Sequence, residues 1–289
     1  MDIEAVSVAA GIAIACAMVF LLAARSWDAL ARLLSGHPSF ADSIMSEAAQ
    51  RFRDELKVLS HRQSTYLGAA LVFVVMYIAA SAFDTPPLFH GYPDWQLYLF
   101  LGALAAAAIF VAYRLAVTLL AWRQLRFLRD ASIAIGHQLQ WISSDHGRVF
   151  HDVPVPSGIV DHVMVGPSGI YAVSVVARRP SNSGETRISN DEVQFRPSRK
   201  ISDVNVIATA VTELAHELSK QVGHNVRVRS VIAVPGWDIS SQTGGEHLLV
   251  NERNLPMLRG WKDQAEYLMN EDVDAMQTWL SAQCTRSRR

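Results

Sequence analysis

The sequence predicts an α/β protein, a mixed sheet flanked by helices and preceded by three transmembrane helices. Three observations carry this. Long uncharged apolar runs are concentrated in the first 122 positions, two β-branched runs flank a Gly-Pro-Ser-Gly turn in mid-chain, and helical periodicity alternates with strand-like runs after it.

The apolar runs come first. Ala5–Ala24 is uncharged and long enough to cross a bilayer core, and the acidic Asp2 and Glu4 before it are unlike a secretory signal. Thr65–Phe83 is a second such run. A third runs from Leu97 to Tyr113 and on past Arg114, whose long side chain can snorkel to the headgroups. The expected spans are about 5–24, 65–83 and 97–121, making 1–122 a membrane region and 123–289 a cytoplasmic domain. Loop charges set the orientation. Arg25, Arg32, Arg51, Arg53, Lys57 and Arg62 lie between the first two runs, none lies in Asp84–Gln96, and Arg123, Arg126 and Arg129 follow the third. The N-terminus is therefore expected outside a cytoplasmic (inner) membrane, with 25–64 and the C-terminal domain in the cytoplasm. Tyr92, Trp95, Tyr98 and Trp122 fit interfacial anchors.

The segment 25–64 reads as mostly helical, opened near Asp42 or Ser43, with Ile44, Phe52, Leu56 and Leu59 on one stripe. Its basic residues suit either a membrane surface or packing on the C-terminal domain. Formal charge is nearly balanced, 26 basic against 27 acidic residues, which argues against a protein that coats nucleic acid at large. Cys16 and Cys284 are the only cysteines, expected as free thiols, and no His/Cys/Asp group has the spacing of a metal site.

Within the domain, Arg123–Ile142 continues as a helix and Arg148–Val155 reads as a strand. Ile159–Val165 and Ile170–Val176 form a hairpin over Gly166–Gly169, with the second strand buried on both faces. That turn lacks the Lys-Ser/Thr and following helix of a phosphate loop. Thr186–Ser189 and Glu192–Phe195 read as a second hairpin over Asn190-Asp191. Ile201–Gln221 reads as a helix, Val226–Val234 and Leu248–Val250 as strands, and Leu255–Leu258 and Asp263–Leu280 as helical. Asp161 stands out, a carboxylate inside an apolar strand that must be paired or bound if it is buried.

Asp161-His-Val-Met-Val-Gly-Pro-Ser-Gly-Ile-Tyr171 resembles the D-H-V-V-V-G-P-S-G-V-F core of the NERD (nuclease-related) domain, and the resemblance extends over roughly Ser132–Leu258. It implies a restriction-endonuclease-like fold, in which an Asp on one strand and a Glu-x-Lys on the next hold Mg²⁺ and activate water. Asp161 fills the Asp position, but the Glu and Lys positions fall on Ser174 and Val176. The family's first helix often carries a Gly-Glu pair, and Ala131–Ser144 contains no acid. Asn205 is the nearest counterpart of the family's Pro-x-x-Gln. His162, next to Asp161, points to the other face of the strand and reads as structural.

The resemblance therefore implies a membrane-tethered, catalytically degenerate module that binds nucleic acid or protein. It would need no cofactor, and no small-molecule substrate is evident. The alternatives are an active Mg²⁺-dependent nuclease in which a relocated carboxylate such as Glu185 or Glu192 joins Asp161, and a membrane scaffold. Arg178, Arg179, Arg187, Arg196, Arg199 and Lys200 form a basic stretch that suits phosphates, anionic lipid or a solvated face.

Overall fold

The computed structural model describes residues 45–82, 94–143, 147–179, 184–189, 192–196, 201–242, 246–259 and 268–286. The first expected span, the Asp42/Ser43 helix opening, Cys16, Arg199, Lys200 and the Asn190-Asp191 turn lie outside these residues.

Two long helices come first, α1 (Gln50–Ala82) and α2 (Asp94–Ile142). The chain divides into two compact units, and the division falls within both helices. One unit comprises Met1–Ser39 and Leu56–Arg123, the other Phe40–Glu55 and Gln124–Arg289. Among the described residues one helical stretch, Ala105–Ile142, is long and apolar enough to cross a membrane. Its most apolar window has a mean hydropathy of 1.8 and none of that window is buried. Ile109, Phe110, Tyr113 and Leu120 are each more than half exposed.

The second unit is built on a five-stranded mixed sheet. Its strands are β1 (Arg148–Val155), β2 (Gly158–Gly166), β3 (Gly169–Val175), β7 (Val228–Ala233) and β9 (His247–Val250), in the order β1-β2-β3-β7-β9. The first three are antiparallel; β7 joins β3 and β9 joins β7 in parallel. Pro167 and Ser168 turn the central hairpin between the paired Gly166 and Gly169. Gly169 sits at φ +127°, which explains the glycine there. β3 is fully buried through Val173, as its position between β2 and β7 requires.

A smaller mixed sheet has the order β6-β5-β4-β8, from β4 (Glu185–Ser189), β5 (Glu192–Arg196), β6 (Ile201–Asp203) and β8 (Asp238–Gln242). Here the expected elements shift. Residues 201–203 pair with β5 as an edge strand, so the helix expected from Ile201 begins at Asn205 as α3 (Asn205–Val222). The pattern of β6 is too short to separate from the helix that follows. β8 had no clear signal, because Asp, Ser and Gln dominate it. Leu255–Arg259 is a short 3₁₀ turn, and the last helix, α4, spans Asn270–Arg286.

Both faces of the large sheet are covered. On one, Ala210, Val211, Leu214 and Leu218 of α3 and Val273, Met276, Leu280 and Cys284 of α4 pack on Phe150, Val153, Val163 and Val165. On the other, Ile135, Leu139 and Ile142 of α2 meet Met164, Tyr171, Val173 and Val231. The α2 and α3 positions recur at three and four residues, so each helix presents one apolar stripe. A third cluster joins Ile188, Val193 and Phe195 of the small sheet to Ile232, Leu249 and Trp237.

Residues 45–49, part of the segment expected to be mostly helical, are not helical. Ala49 adopts φ +62° and α1 starts only at Gln50. The reason is tertiary: Ser46 Oγ donates to the backbone oxygen of His151 on β1 at 2.7 Å, drawing the segment onto the sheet. Of the two expectations for this segment, packing on the C-terminal domain is what residues 45–55 show.

Candidate functional site

The site forms where β1 and β2 lose their regular alternation. Register pairs His151 with His162 and Val153 with Val160, which leaves Asp152 opposite Asp161. Phe150 and Val153 lie three apart yet reach the same apolar cluster, as do Val160 and Val163. A regular strand would send them to opposite faces. Asp152 makes the change on β1 with φ +53°, a left-handed conformation that Asp tolerates better than most residues.

Asp161 is 6 % exposed, and both of its carboxylate oxygens hold protein donors. Arg51 Nη2 donates to Oδ1 at 2.6 Å, and the Val175 N–H donates to Oδ2 at 2.7 Å. The same Arg51 donates its backbone N–H to Asp152 Oδ2 at 3.3 Å. Burial pushes both carboxyls above their ordinary range, while Arg51 pulls each back down. A 2.6 Å contact to a guanidinium favours the ionised carboxylate, so Arg51 is the group that opposes burial at Asp161. The acid whose charge bears on Asp161 is Asp152. Glu185 and Glu192, the acids expected for a relocated role, lie on the small sheet.

Beside the acids lies a pair of buried imidazoles. His151 Nδ1 and His162 Nδ1 are 2.8 Å apart with the rings edge-on, so one must donate and the other accept. Gln140 Nε2 meets His151 Nε2 at 3.0 Å, and an amide nitrogen can only donate. This donor set assigns the His151 proton to Nδ1, makes His162 Nδ1 the acceptor, and directs His162 Nε2–H at Ser132 Oγ 3.3 Å away. Both rings are then neutral. Burial lowers His151 to about 4, and burial together with the neighbouring His151 lowers His162 to about 3. Gly136 of α2 lets the two rings approach; a Cβ there would stand 3.2 Å from each ring and 3.1 Å from Ala48 Cβ. Cys284, a buried free thiol, reaches the His151 carbonyl at 3.6 Å, and burial raises its pKa.

The other expected site residues are placed as follows. Extending the β2–β3 register beyond His162–Val173 puts Ser174 across from Asp161. Val176 donates its N–H to Ala233 and packs its side chain against the cluster of Ile188, Phe195 and Trp237. The guanidinium of Arg178 lies 4.7 Å over the Phe195 ring, and the Arg178 carbonyl accepts from Trp237 Nε1 at 2.9 Å. Arg187 grips Gln194 Oε1 across the small sheet through two N–H groups. Arg179 and Arg196 are exposed, the latter in register with Glu185.

As folded, these residues do not fit the divalent metal that the nuclease pattern implies. Both Asp161 oxygens are engaged, the neighbouring strand offers Ser174 and Val176, and the nearest cation is the guanidinium of Arg51. Among the described residues no group of three or more His, Cys, Asp or Glu could hold a metal.

Two mixed sheets, helices on both faces of the larger one and an acid buried on β2 define the class, a mixed α/β domain with a carboxylate among apolar strands. Residues 129–235 match the family model of NERD, the nuclease-related domain. No curated protein and no solved structure matches the chain. Arg51 lies outside the matched residues, and in the sequence it reads as a loop charge and as one basic residue of a helical segment suited to a membrane surface or to packing on the C-terminal domain. Asp152 and His151 were visible as polar residues in a strand, but their partners were not.

Proposed function

We propose that the chain is a membrane-tethered nuclease-related domain of restriction-endonuclease-like fold that binds its ligand without cutting it. One observation carries the reading: Asp161 spends both oxygens on Arg51 and Val175, where a working nuclease would offer them to a metal. Ser174 and Val176 replace the Glu and Lys that would complete that site, and neither can supply a second carboxylate or a positive charge. The unburied apolar stretch of α2 supports a membrane anchor, and the apolar runs and loop-charge asymmetry of the sequence support three spans with the domain in the cytoplasm. Nucleic acid is the ligand to test first, with exposed Arg179 and Arg196 as phosphate contacts; a protein ligand is the next.

A second reading has one observation in its favour. A Mg²⁺-dependent nuclease needs a second acid near Asp161, and Asp152 stands opposite it.

The test uses the full chain in detergent micelles with labelled duplex and single-stranded DNA at rising salt, with and without Mg²⁺. Binding that weakens with salt and yields no product is expected. Mg²⁺-dependent product that vanishes in Asp161→Ala would sink the reading. Absence of both binding and product would move the ligand to protein or lipid.

A further inference from the structure

Between Asp94 and Arg123, Arg114 is the only charged residue of α2, and it lies in an exposed apolar band. Ile109, Phe110 and Tyr113 before it and Leu120 after it are each more than half exposed. A charge in such a surface is costly against lipid unless it has a partner or a task. Arg114 Nε donates to Tyr66 Oη of α1 at 3.2 Å, and its guanidinium lies 5.9 Å from the tyrosine ring. Both residues belong to the same compact unit, and the contact brings the two helices level at this point. The charges of α1 end at Arg62, one turn before Tyr66, and no Lys, Arg, Asp or Glu follows as far as Ala82. On α2 the rise from the exposed Trp95 to Arg114 is about 30 Å, the thickness of a hydrocarbon core.

We propose that Arg114, aimed by Tyr66 and joined by Arg62, binds the phosphate of an anionic phospholipid where the cytoplasmic leaflet meets α1 and α2. Tyr66 and Arg114 then mark the inner boundary of the hydrocarbon core, and Trp95 the outer one. Arg114 spends its Nε–H on the tyrosine, which leaves the forked Nη donors for a phosphate, an anion whose geometry a guanidinium matches. Arg62 is exposed and stands four residues before Tyr66, hence on the same face of α1. Basic groups between membrane helices on the cytoplasmic side are where anionic headgroups bind. Two guanidiniums favour a headgroup of net negative charge over a zwitterionic one, whose own ammonium they repel. This inference rests on the membrane-tethered reading.

The experiment reconstitutes the full chain in phosphatidylcholine vesicles and adds phosphatidylglycerol or phosphatidylcholine spin-labelled on the acyl chain. Electron paramagnetic resonance gives the fraction of each label immobilised at the protein surface, at a salt concentration high enough to screen diffuse attraction. Wild type should prefer phosphatidylglycerol, and Arg114→Met should lower that preference about fivefold, with Arg62→Met losing a similar factor. Arg123→Met, beyond the site, should leave it unchanged. A wild type without preference would overturn the proposal, as would an Arg114→Met protein that keeps it or an equal loss in Arg123→Met. Should Arg114→Met fail to reconstitute, Arg62→Met, at an exposed position, carries the same test. Inorganic phosphate at matched ionic strength should not displace the lipid; displacement would assign the site to a soluble phosphate and equally overturn it. Immobilisation of neither lipid by wild type would instead defeat the membrane-tethered reading, so the two failures are distinct.

Discussion

The end of β3 lies between two seams built on opposite principles. On the side of β2, Asp161, Asp152, His151, His162 and Ser132 form a buried polar seam, closed by Arg51 and by the exposed Gln140. Beyond Val175, Val176 enters an apolar seam with Phe195 and Trp237, whose rings meet edge-on at 4.9 Å. The polar seam depends on partners for its charges and donors, because one left alone in a low dielectric is expensive. The apolar seam depends on shape, since close-packed interiors tolerate neither voids nor extra atoms. Asp161 lies in the first seam and is held there by Arg51 from 110 residues away. Val176 lies in the second.

The strongest way to break this contrast is to orphan the buried acid. Arg51→Met in the absence of divalent cations should lose about 3 kcal/mol by urea denaturation, as expected when one member of a largely buried pair is removed. Adding Asp161→Asn should recover more than half of that, because the acceptor for the Val175 N–H remains and the charge is gone. If the double variant is no more stable than the single, Arg51 matters for something other than Asp161.

The apolar seam should fail through overpacking instead. Gly184 is buried against Trp237, and a Cβ there would run into the ring, with Cζ3 nearest and Cε3 at 2.6 Å. Gly184→Ala should cost about 2 kcal/mol, with a changed Trp237 near-ultraviolet signal and no dependence on pH. An unchanged spectrum and melting point would mean that the seam is looser than its contacts suggest.

A smaller effect separates the seams by acid. The imidazoles of His151 and His162 are held neutral in the fold, at about 4 and about 3, against an ordinary 6.5. The unfolded chain takes up their protons first as pH falls, so their contribution is whole above pH 6.5 and drains away towards pH 4 and then 3. Asp152 and Asp161 oppose this, since their raised values let the native state bind protons more readily and the same acidification relieves them. Comparing wild type with His162→Gln between pH 7 and 4.5 isolates the imidazoles. The variant should show the shallower loss, by on the order of 1–2 kcal/mol across the window. Equal slopes would show that the imidazoles do not carry the acid sensitivity.

Local pattern carried much of the fold. The β-branched runs around Pro167-Ser168, the stripe Val211-Leu214-Leu218 and the alternating Val193 and Phe195 each declare their element without help from distant residues. It failed where the signal was short or polar. Three residues of β6 merged with the helix after them, and β8 reads as a loop until it pairs with β4. The acid and its strand were equally legible, because a carboxylate among valines has no bland place in a sequence.

What the sequence settled by itself was which residues would be inside, since period and β-branching are properties of neighbours in the chain. What it left to the tertiary structure was how the buried polar groups would be satisfied. Arg51 reads as one of several basic residues beside a membrane run, and Asp152 as one polar residue in a strand. Only folding brings the guanidinium to 2.6 Å from Asp161 and the two imidazoles to 2.8 Å from each other. Burial is written in local hydrophobicity, whereas pairing is a relation between residues that the chain holds far apart.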